Sequence, residues 1–271
     1  MTLDLMPAST YSLEALTELY NRARADYLVP MPMTPDSMAA YVSHHDVVLD
    51  ASLVAQVQSE PAGLALLGLR DDRAWITRMG VIREVRRSGV GRVLLDGLLD
   101  MAVNRGAASA QLEVIADNAI GQRLFRACGF EPVRRLLVLS RPPGAPMDLT
   151  LVPDRLLNNA EARAVLESGT IGYPPSWVEE APSLLQARRL AGIVVDQAAL
   201  LYGDDGVMLS PVALCNADGM TGPALLGALH SQWPMRPALK ENVPEGHPQA
   251  EWFADAGYEP AFARLEMRRA L

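Results

Sequence analysis

In "SLEALTELYNRARADYL" apolar residues fall at 13, 16, 19, 20 and 23, the spacing of one helix face, and Ser12 stands where an N-cap belongs. A proline-rich bend, "VPMPMTPDS", follows, with Thr34 or Asp36 placed to cap a second short helix, "MAAYVSHH". "ASLVAQVQSE" and "AGLALLGLR" read as strands around a turn at Glu60-Pro61, and Asp71-Asp72 turns the chain into a third, "AWITRMGVI". From Val90 the apolar positions Val90, Val93, Leu94, Leu98 and Met101 return to helical spacing, ending at Arg105-Gly106. A strand, "AQLEVIA", a helix, "NAIGQRLFRAC", stopped by Gly129, and a strand, "PVRRLLVLSR", close the half, and "PPGAP" at 142 to 146 has the composition of a linker.

The second half repeats the first. "CGFEPVRRLLVLSR" at 128 to 141 is echoed by "AGYEPAFARLEMRR" at 256 to 269, "GRVLLDGLL" by "GPALLGALH" at 222 to 230, and "QLEV" by "ALKEN" at 238 to 242. Gly91 to Phe130 spans 39 residues and Gly222 to Tyr258 spans 36, so order and spacing agree. Two copies of one fold, joined near residue 145, account for this.

Composition narrows the class. The 271 residues are 49% hydrophobic and 21% charged, which suits one large or two ordinary folded domains rather than disorder. No apolar run approaches the ~18 to 20 residues of a membrane span, and an acid stands where a signal peptide carries its basic region, so the expected location is the cytoplasm. Cys128, Cys215 and four histidines show neither a disulfide framework nor a metal-ligand spacing, and no metal is expected. Net charge is -8, and it divides unevenly. Residues 1 to 145 carry 15 Arg against 16 Asp or Glu, net -1, whereas 146 to 271 carry 9 Lys or Arg against 16 acids, net -7. An anionic ligand therefore belongs with the first half, and nucleic acid, which needs a basic face, is not an expected partner.

Around "IREVRRSGVGRVLLDGLL" the acidic chain gathers Arg83, Arg86, Arg87 and Arg92 at a glycine turn entering a helix. Unpaired N–H groups, the helix dipole and arginine forks together make an anion site. A Walker loop is excluded by the missing Lys-Ser/Thr, and a dinucleotide fold by the missing third glycine and downstream acid.

"MGVIREVRRSGVGRVLLDGLL" resembles the acyl-CoA motif of the GNAT superfamily of N-acyltransferases, Arg/Gln-x-x-Gly-x-Gly/Ala, with Arg86, Gly89 and Gly91 in place. "NAIGQRLFRACGF" is similar to that family's Asn-x-x-Ala-x-x-Leu-Tyr-x-x-x-Gly-Phe segment through Asn118, Leu124, Gly129 and Phe130, and the resemblance covers about residues 12 to 141. It implies an α/β (α+β) fold of two tandem GNAT-like domains, each a mixed, mostly antiparallel sheet flanked by helices. Residues 1–143 would form the acetyltransferase domain and 147–271 a degenerate copy.

The implied reaction is acetyl transfer from acetyl-CoA to a primary amine, of a small molecule or a peptide, by direct attack on the thioester. The resemblance assigns the pantetheine arm to the backbone of Met79, Gly80 and Val81, and the pyrophosphate to N–H groups of Arg87, Ser88, Gly89, Val90, Gly91 and Arg92, with Arg86 the motif's arginine. Asn118 would contact the cofactor, and Glu113, on the strand "QLEVIA", would be the base, or else a solvated or structurally paired strand carboxylate. The family's thiolate-protonating tyrosine would fall at 125, where this chain has Phe125, beside the cofactor but without a hydroxyl. An acid must come from elsewhere, or coenzyme A leaves unprotonated. Arg83 and Ser88 replace a frequent proline and basic residue without removing a donor.

His44 and His45 lie where the family wraps its acceptor, or are a surface pair, and Tyr27 and Tyr41 line the pocket or pack their helices. In the second copy Gly219 and Gly222 remain, but Asp218 replaces the arginines and would repel a pyrophosphate; Pro223 suits a first helical turn. "TIGYPPSWVEEAP" offers Tyr173, Trp177, Glu179 and Glu180 either to a cationic amine or to packing, and net -7 there favours a basic acceptor. The reading from another class is a non-catalytic acyl-CoA binding or sensing protein. No membrane partner is expected, and the assembly is a monomer or homodimer.

Overall fold

The computed structural model describes residues 2–144, 152–187 and 189–271, so Ala145 and Pro146 of the expected linker lie outside the described residues. The chain divides into two compact units, residues 1–134 with 265–271, and residues 135–264.

The first unit opens with β1 (Leu3–Pro7), α1 (Leu13–Ala23) and α2 (Pro35–His44). Ser12 caps α1 by accepting from the Ala15 N–H, and Thr34 caps α2 in a reciprocal capping box with Ser37. Strands β2 (Leu53–Val57), β3 (Glu60–Arg70) and β4 (Arg73–Val81) form an antiparallel meander. The first turn is not Glu60-Pro61: Gln58 and Ser59, with φ of 54° and 68°, make a tight two-residue hairpin, and Pro61 sits within β3. A pair of left-handed residues matches strand twist, which overrides the proline signal. Helix α3 (Val90–Asn104), parallel strand β5 (Ser109–Ile115) and helix α4 (Ala119–Ala127) follow. Helix α3 buries Val90, Leu94, Leu95, Leu98, Leu99 and Ala102 on one face of the sheet, and Val93, expected inside, is 37% exposed. Helices α1 and α2 bury Leu16, Tyr20 and Met38 with Val54, Leu64 and Leu66 of β2 and β3.

After β6 (Glu131–Arg141), the second unit repeats the order: β7 (Arg155–Leu157), α5 (Asn159–Ser168), α6 (Ala181–Ala187), β8 (Leu190–Val195), β9 (Ala198–Asp204), β10 (Leu209–Cys215), α7 (Thr221–Gln232), β11 (Ala238–Pro244), α8 (Pro248–Asp255) and β12 (Glu259–Ala270). The linear division expected at 143 to 147 is replaced by an exchange of last strands. In the first unit the end of β12 lies beside β5, with Met267 in the core, Arg269 bonded to the Cys128 carbonyl and the Leu271 N–H bonded to the Ala108 carbonyl. In the second, β6 pairs antiparallel with β11 from Arg141–Ala238 to Leu136–Pro244. "PVRRLLVLSR" and "AFARLEMRR" are the echoed segments, so either strand satisfies the same kind of slot. Both cysteines are buried and free. No described helix is long and apolar enough to cross a membrane.

Candidate active site

Strands β4 and β5 pair from Arg73–Ser109 to Ile76–Leu112, and then both run on, to Val81 and Ile115. The first residues beyond the last pair are Thr77 and Glu113, which stand at the apex of the opening. A register shift between Leu64 and Leu66 of β3 sets two residues, Arg78 and Met79, against Ala65 alone, and Arg78 has φ of 50°. This bulge bends β4 away from β5 and turns Arg78 onto the α1 and α2 face.

At the far end of β4 lies the glycine turn. Gly89 takes φ of 92° as the N-cap of α3, a conformation a Cβ would strain. None of the backbone N–H groups from Arg87 through Gly91 donates to a described residue, while that of Arg92 bonds the Gly89 carbonyl at 3.0 Å. Five successive donors thus remain at the positive end of a helix. Val90 is buried, and Met79, Val81 and Leu124 pack around Gly91.

The arginines divide differently from the motif. Arg86 grips Asp26 with both terminal nitrogens, at 2.6 and 2.7 Å, and donates to the Val81 and Ala23 carbonyls, holding that carboxyl below the usual range. Its side chain braces the turn against the end of α1. Arg92 is engaged by Asp96 at 2.7 Å and by the Ala127 carbonyl, and the Ser88 hydroxyl donates to the Val85 carbonyl. Arg83 and Arg87 form no ion pair with a described residue.

Asn118 caps α4, its Oδ1 accepting the Gly121 N–H at 2.9 Å and its Nδ2 lying 3.4 Å from the Tyr27 hydroxyl. Phe125 is buried, its ring 6.1 Å from that of Phe130. Position 125 therefore contributes core and no proton.

The apex is walled by groups from α1, α2 and β4. The Tyr41 hydroxyl lies 2.6 Å from Thr77 Oγ1, and the His45 ring stacks 4.7 Å from Tyr41 and 5.9 Å from Trp75. Burial holds the Tyr41 phenol above its ordinary pKa, Arg78 and the Thr77 hydrogen bond lower it, and Glu113 raises it again. Glu113 and Arg78 therefore act on the same hydroxyl. Glu113 is half-buried with Oε1 out of contact with solvent. Of the residues singled out in the sequence, Tyr41, His45 and Glu113 lie at this apex, Tyr27 lies instead beside Asn118, and His44 stands one ring further out, 6.4 Å from His45. Sequence reading missed Arg24, Tyr20, Trp75, Thr77 and Arg78, which belong to no motif and are gathered only by the bulge and by helix packing.

The second unit closes the equivalent places. At the start of α7, Asp218 Oδ1 accepts from the Met220 and Thr221 N–H groups, at 3.0 and 2.8 Å, and from the Thr221 hydroxyl. These bonds hold the carboxyl below its usual pKa. An internal carboxylate thus takes the donors that stay unused in the first unit. Lys240, matched to Glu113 in the repeat, is buried, bonded to Glu179 and to the Val212 carbonyl of β10. Burial alone would lower its pKa, but the adjoining Glu179 carboxylate raises it. Trp177 and Ser176 are fully buried, Tyr173 and Glu179 nearly so, and Glu180 half-buried, while Pro174 is exposed, so this segment packs its aromatic residues into the unit. Among the described residues no group of three or more His, Cys, Asp or Glu is arranged to hold a metal ion.

Residues 13–130 match the model of the acetyltransferase (GNAT) family. By that match the first unit is similar to the GNAT superfamily. Its two-copy layout matches, over 99% of its length, a tandem GNAT protein from the clavulanic acid biosynthesis pathway, with 98% of that chain covered, TM-score 0.72 and 17% identity. A GCN5-related N-acetyltransferase from Sphaerobacter thermophilus covers 99% of this chain and 95% of its own, with TM-score 0.74 and 14% identity. Such identities speak for fold alone. In sequence, 69 residues are 36% identical to the [ribosomal protein bS18]-alanine N-acetyltransferase of Escherichia coli K12, 26% of this chain and 47% of that protein. The chain spans about half the length of the curated relatives it matches.

Proposed function

We propose that this protein is an N-acetyltransferase moving an acetyl group from acetyl-CoA to a primary amine, with the first unit as its active domain and the second as a copy that has lost the ligand site. The observation that carries this is the parting of β4 and β5 beyond Ile76 and Leu112, with five unused N–H donors from Arg87 to Gly91 at one end of it and Glu113 at the other. Those donors suit a pyrophosphate, and the β4 edge at Met79 to Val81 suits an extended amide-bearing arm. Asn118 would steady that arm through its amide nitrogen.

When bound, acetyl-CoA supplies a thioester carbonyl. The Glu113 carboxylate would take a proton from the acceptor ammonium, the neutral amine would form the new C–N bond as the C–S bond breaks, and the second nitrogen proton, lost as the amide forms, would pass to water. Phe125 offers no proton, and a thiolate whose conjugate acid has a pKa of about 8 to 9 leaves without one.

The test is release of free thiol from acetyl-CoA across a panel of amines. Glu113→Gln should lower kcat by about 100-fold, the scale of a lost general base, with acetyl-CoA affinity unchanged. Binding of acetyl-CoA without thiol release for any amine would favour the second reading, a non-catalytic acyl-CoA binding or sensing protein, to which the buried Phe125 lends support.

A further inference from the structure

The first unit belongs to a chain with more acids than bases, yet two of its half-buried guanidiniums, those of Arg24 and Arg78, have neither a carboxylate nor a carbonyl as partner among the described residues. Arg70, Arg86, Arg92 and Arg134 pair with Asp46, Asp26, Asp96 and Glu266. Arg24 and Arg78 form no ion pair with any described residue. The Nε of each is buried and hydrogen-bonded to nothing. Arg24 donates to no described residue, and Arg78 makes one long hydrogen bond, 3.4 Å to the Tyr20 hydroxyl.

Tyrosine rings hold both in place. Arg24 lies 3.6 Å from the centre of Tyr27 and 5.4 Å from that of Tyr20, and Arg78 lies 5.6 Å from Tyr20 and 4.0 Å from Tyr41. The result is an alternating ladder, Tyr27, Arg24, Tyr20, Arg78, Tyr41. One end reaches Asn118 through the Tyr27 hydroxyl and the other reaches Thr77 through that of Tyr41. It therefore follows the gap between β4 and β5 to its apex. Cation–π contact offsets part of the cost of partial burial, but leaves the planar N–H forks unfilled. A fork so placed is matched by a carboxylate, bidentate and charge-assisted.

We infer that the acceptor is an amine that also carries a carboxylate, an amino acid or a compound of that design, with Arg78 holding the carboxylate beside the amine that Glu113 serves. This rests on the acetyltransfer reading above and names its substrate class. It also reverses the basic acceptor expected from the charge of the second half, because Arg24 and Arg78 stand along this gap without carboxylate partners. Arg24, one rung further along, adds positive potential.

The experiment uses the full-length protein with saturating acetyl-CoA, reading thiol release for amino acids, their carboxamides and the matching simple amines. Amino acids should exceed their carboxamides at least tenfold in kcat/KM. Arg78→Gln should raise KM for amino acids at least tenfold and that for carboxamides less than twofold, with kcat and acetyl-CoA affinity kept. Arg78→Lys should recover part of the loss, and an unchanged melting temperature separates this from misfolding. Equal use of carboxamides or simple amines would overturn the inference while leaving acetyltransfer standing. So would an Arg78→Gln variant whose only defect is weaker acetyl-CoA binding. If no amine releases thiol, the acetyltransfer reading fails by itself. Calorimetry with N-acetylated amino acids then decides the carboxylate site: binding abolished in Arg78→Gln upholds it, and no binding to wild type overturns it.

Discussion

At Gly91 a Cβ would sit 3.4 Å from Leu124 Cδ2 and 3.7 Å from Met79 Cε, ordinary contacts, so a substitution there probes charge more than packing. An acid in the first turn of α3 also suits the helix dipole, which keeps the fold in its favour. Gly91→Asp should weaken acetyl-CoA binding at least tenfold in a calorimetric titration, with circular dichroism unchanged; full affinity would remove the pyrophosphate from this turn. The motif located that turn from sequence, because glycines and their spacing are visible in one dimension. Which arginines stay available was not visible. Arg86 turned out to brace Asp26, sixty residues away, and Arg78, outside every motif, owes its position to a bulge whose left-handed φ no local pattern announces.

Among the elements, α3 and α7 show how the same strand–turn–helix unit leaves its first N–H donors unused or fills them from within. Helix α7 is drawn against α8, where a Cβ on Gly222 would meet the Trp252 ring at 2.3 Å, and Asp218 fills the donors at its start. Gly222→Ala should cost about 1 to 3 kcal/mol through overpacking, read as a lower melting temperature, with no loss of acetyl-CoA binding. On the same helix His230 is fully buried, its Nε2 3.0 Å from the Tyr258 hydroxyl, and burial pushes its pKa down to about 3 from an ordinary 6.5, with Arg141 adding to the effect. Folded His230 stays neutral where the unfolded chain takes up a proton. Its contribution is complete above about pH 6.5 and is lost as pH falls toward 3, at ~1.4 kcal/mol per pH unit. Urea unfolding between pH 7 and 5.5 should show that slope, and His230→Gln should reduce it by one proton's worth. Periodicity and caps gave α3 and α4 nearly to the residue, since those signals are local, whereas α1 ends at Ala23, short of the stretch to Leu28, and α2 starts at Pro35, ahead of Met38. The Gln58-Ser59 turn was misplaced because proline draws attention and paired left-handed residues of ordinary type do not.

For the whole molecule the exchange of last strands decides what can be cut. The first unit takes Leu265–Leu271 as the strand beside β5, with Met267 in its core and Glu266 paired to Arg134, while residues 135–141 serve the second. A chain ending at residue 144 should therefore lack a cooperative thermal transition and elute as aggregate, because it leaves an edge of β5 bare and an apolar strand without its slot. A sharp melt from that fragment would show that β6 can replace β12. By itself the sequence determined the two-copy plan, the order of helices and strands and the glycine turn ahead of α3, all of which are written in local periodicity, caps and repeated motifs. Only the tertiary structure decided which copy of the last strand each unit uses, which arginines are spent on aspartates, and which stand unpaired between tyrosines. Those depend on contacts between residues far apart in the chain, and near-identical strand segments carry nothing local that says which slot they will fill.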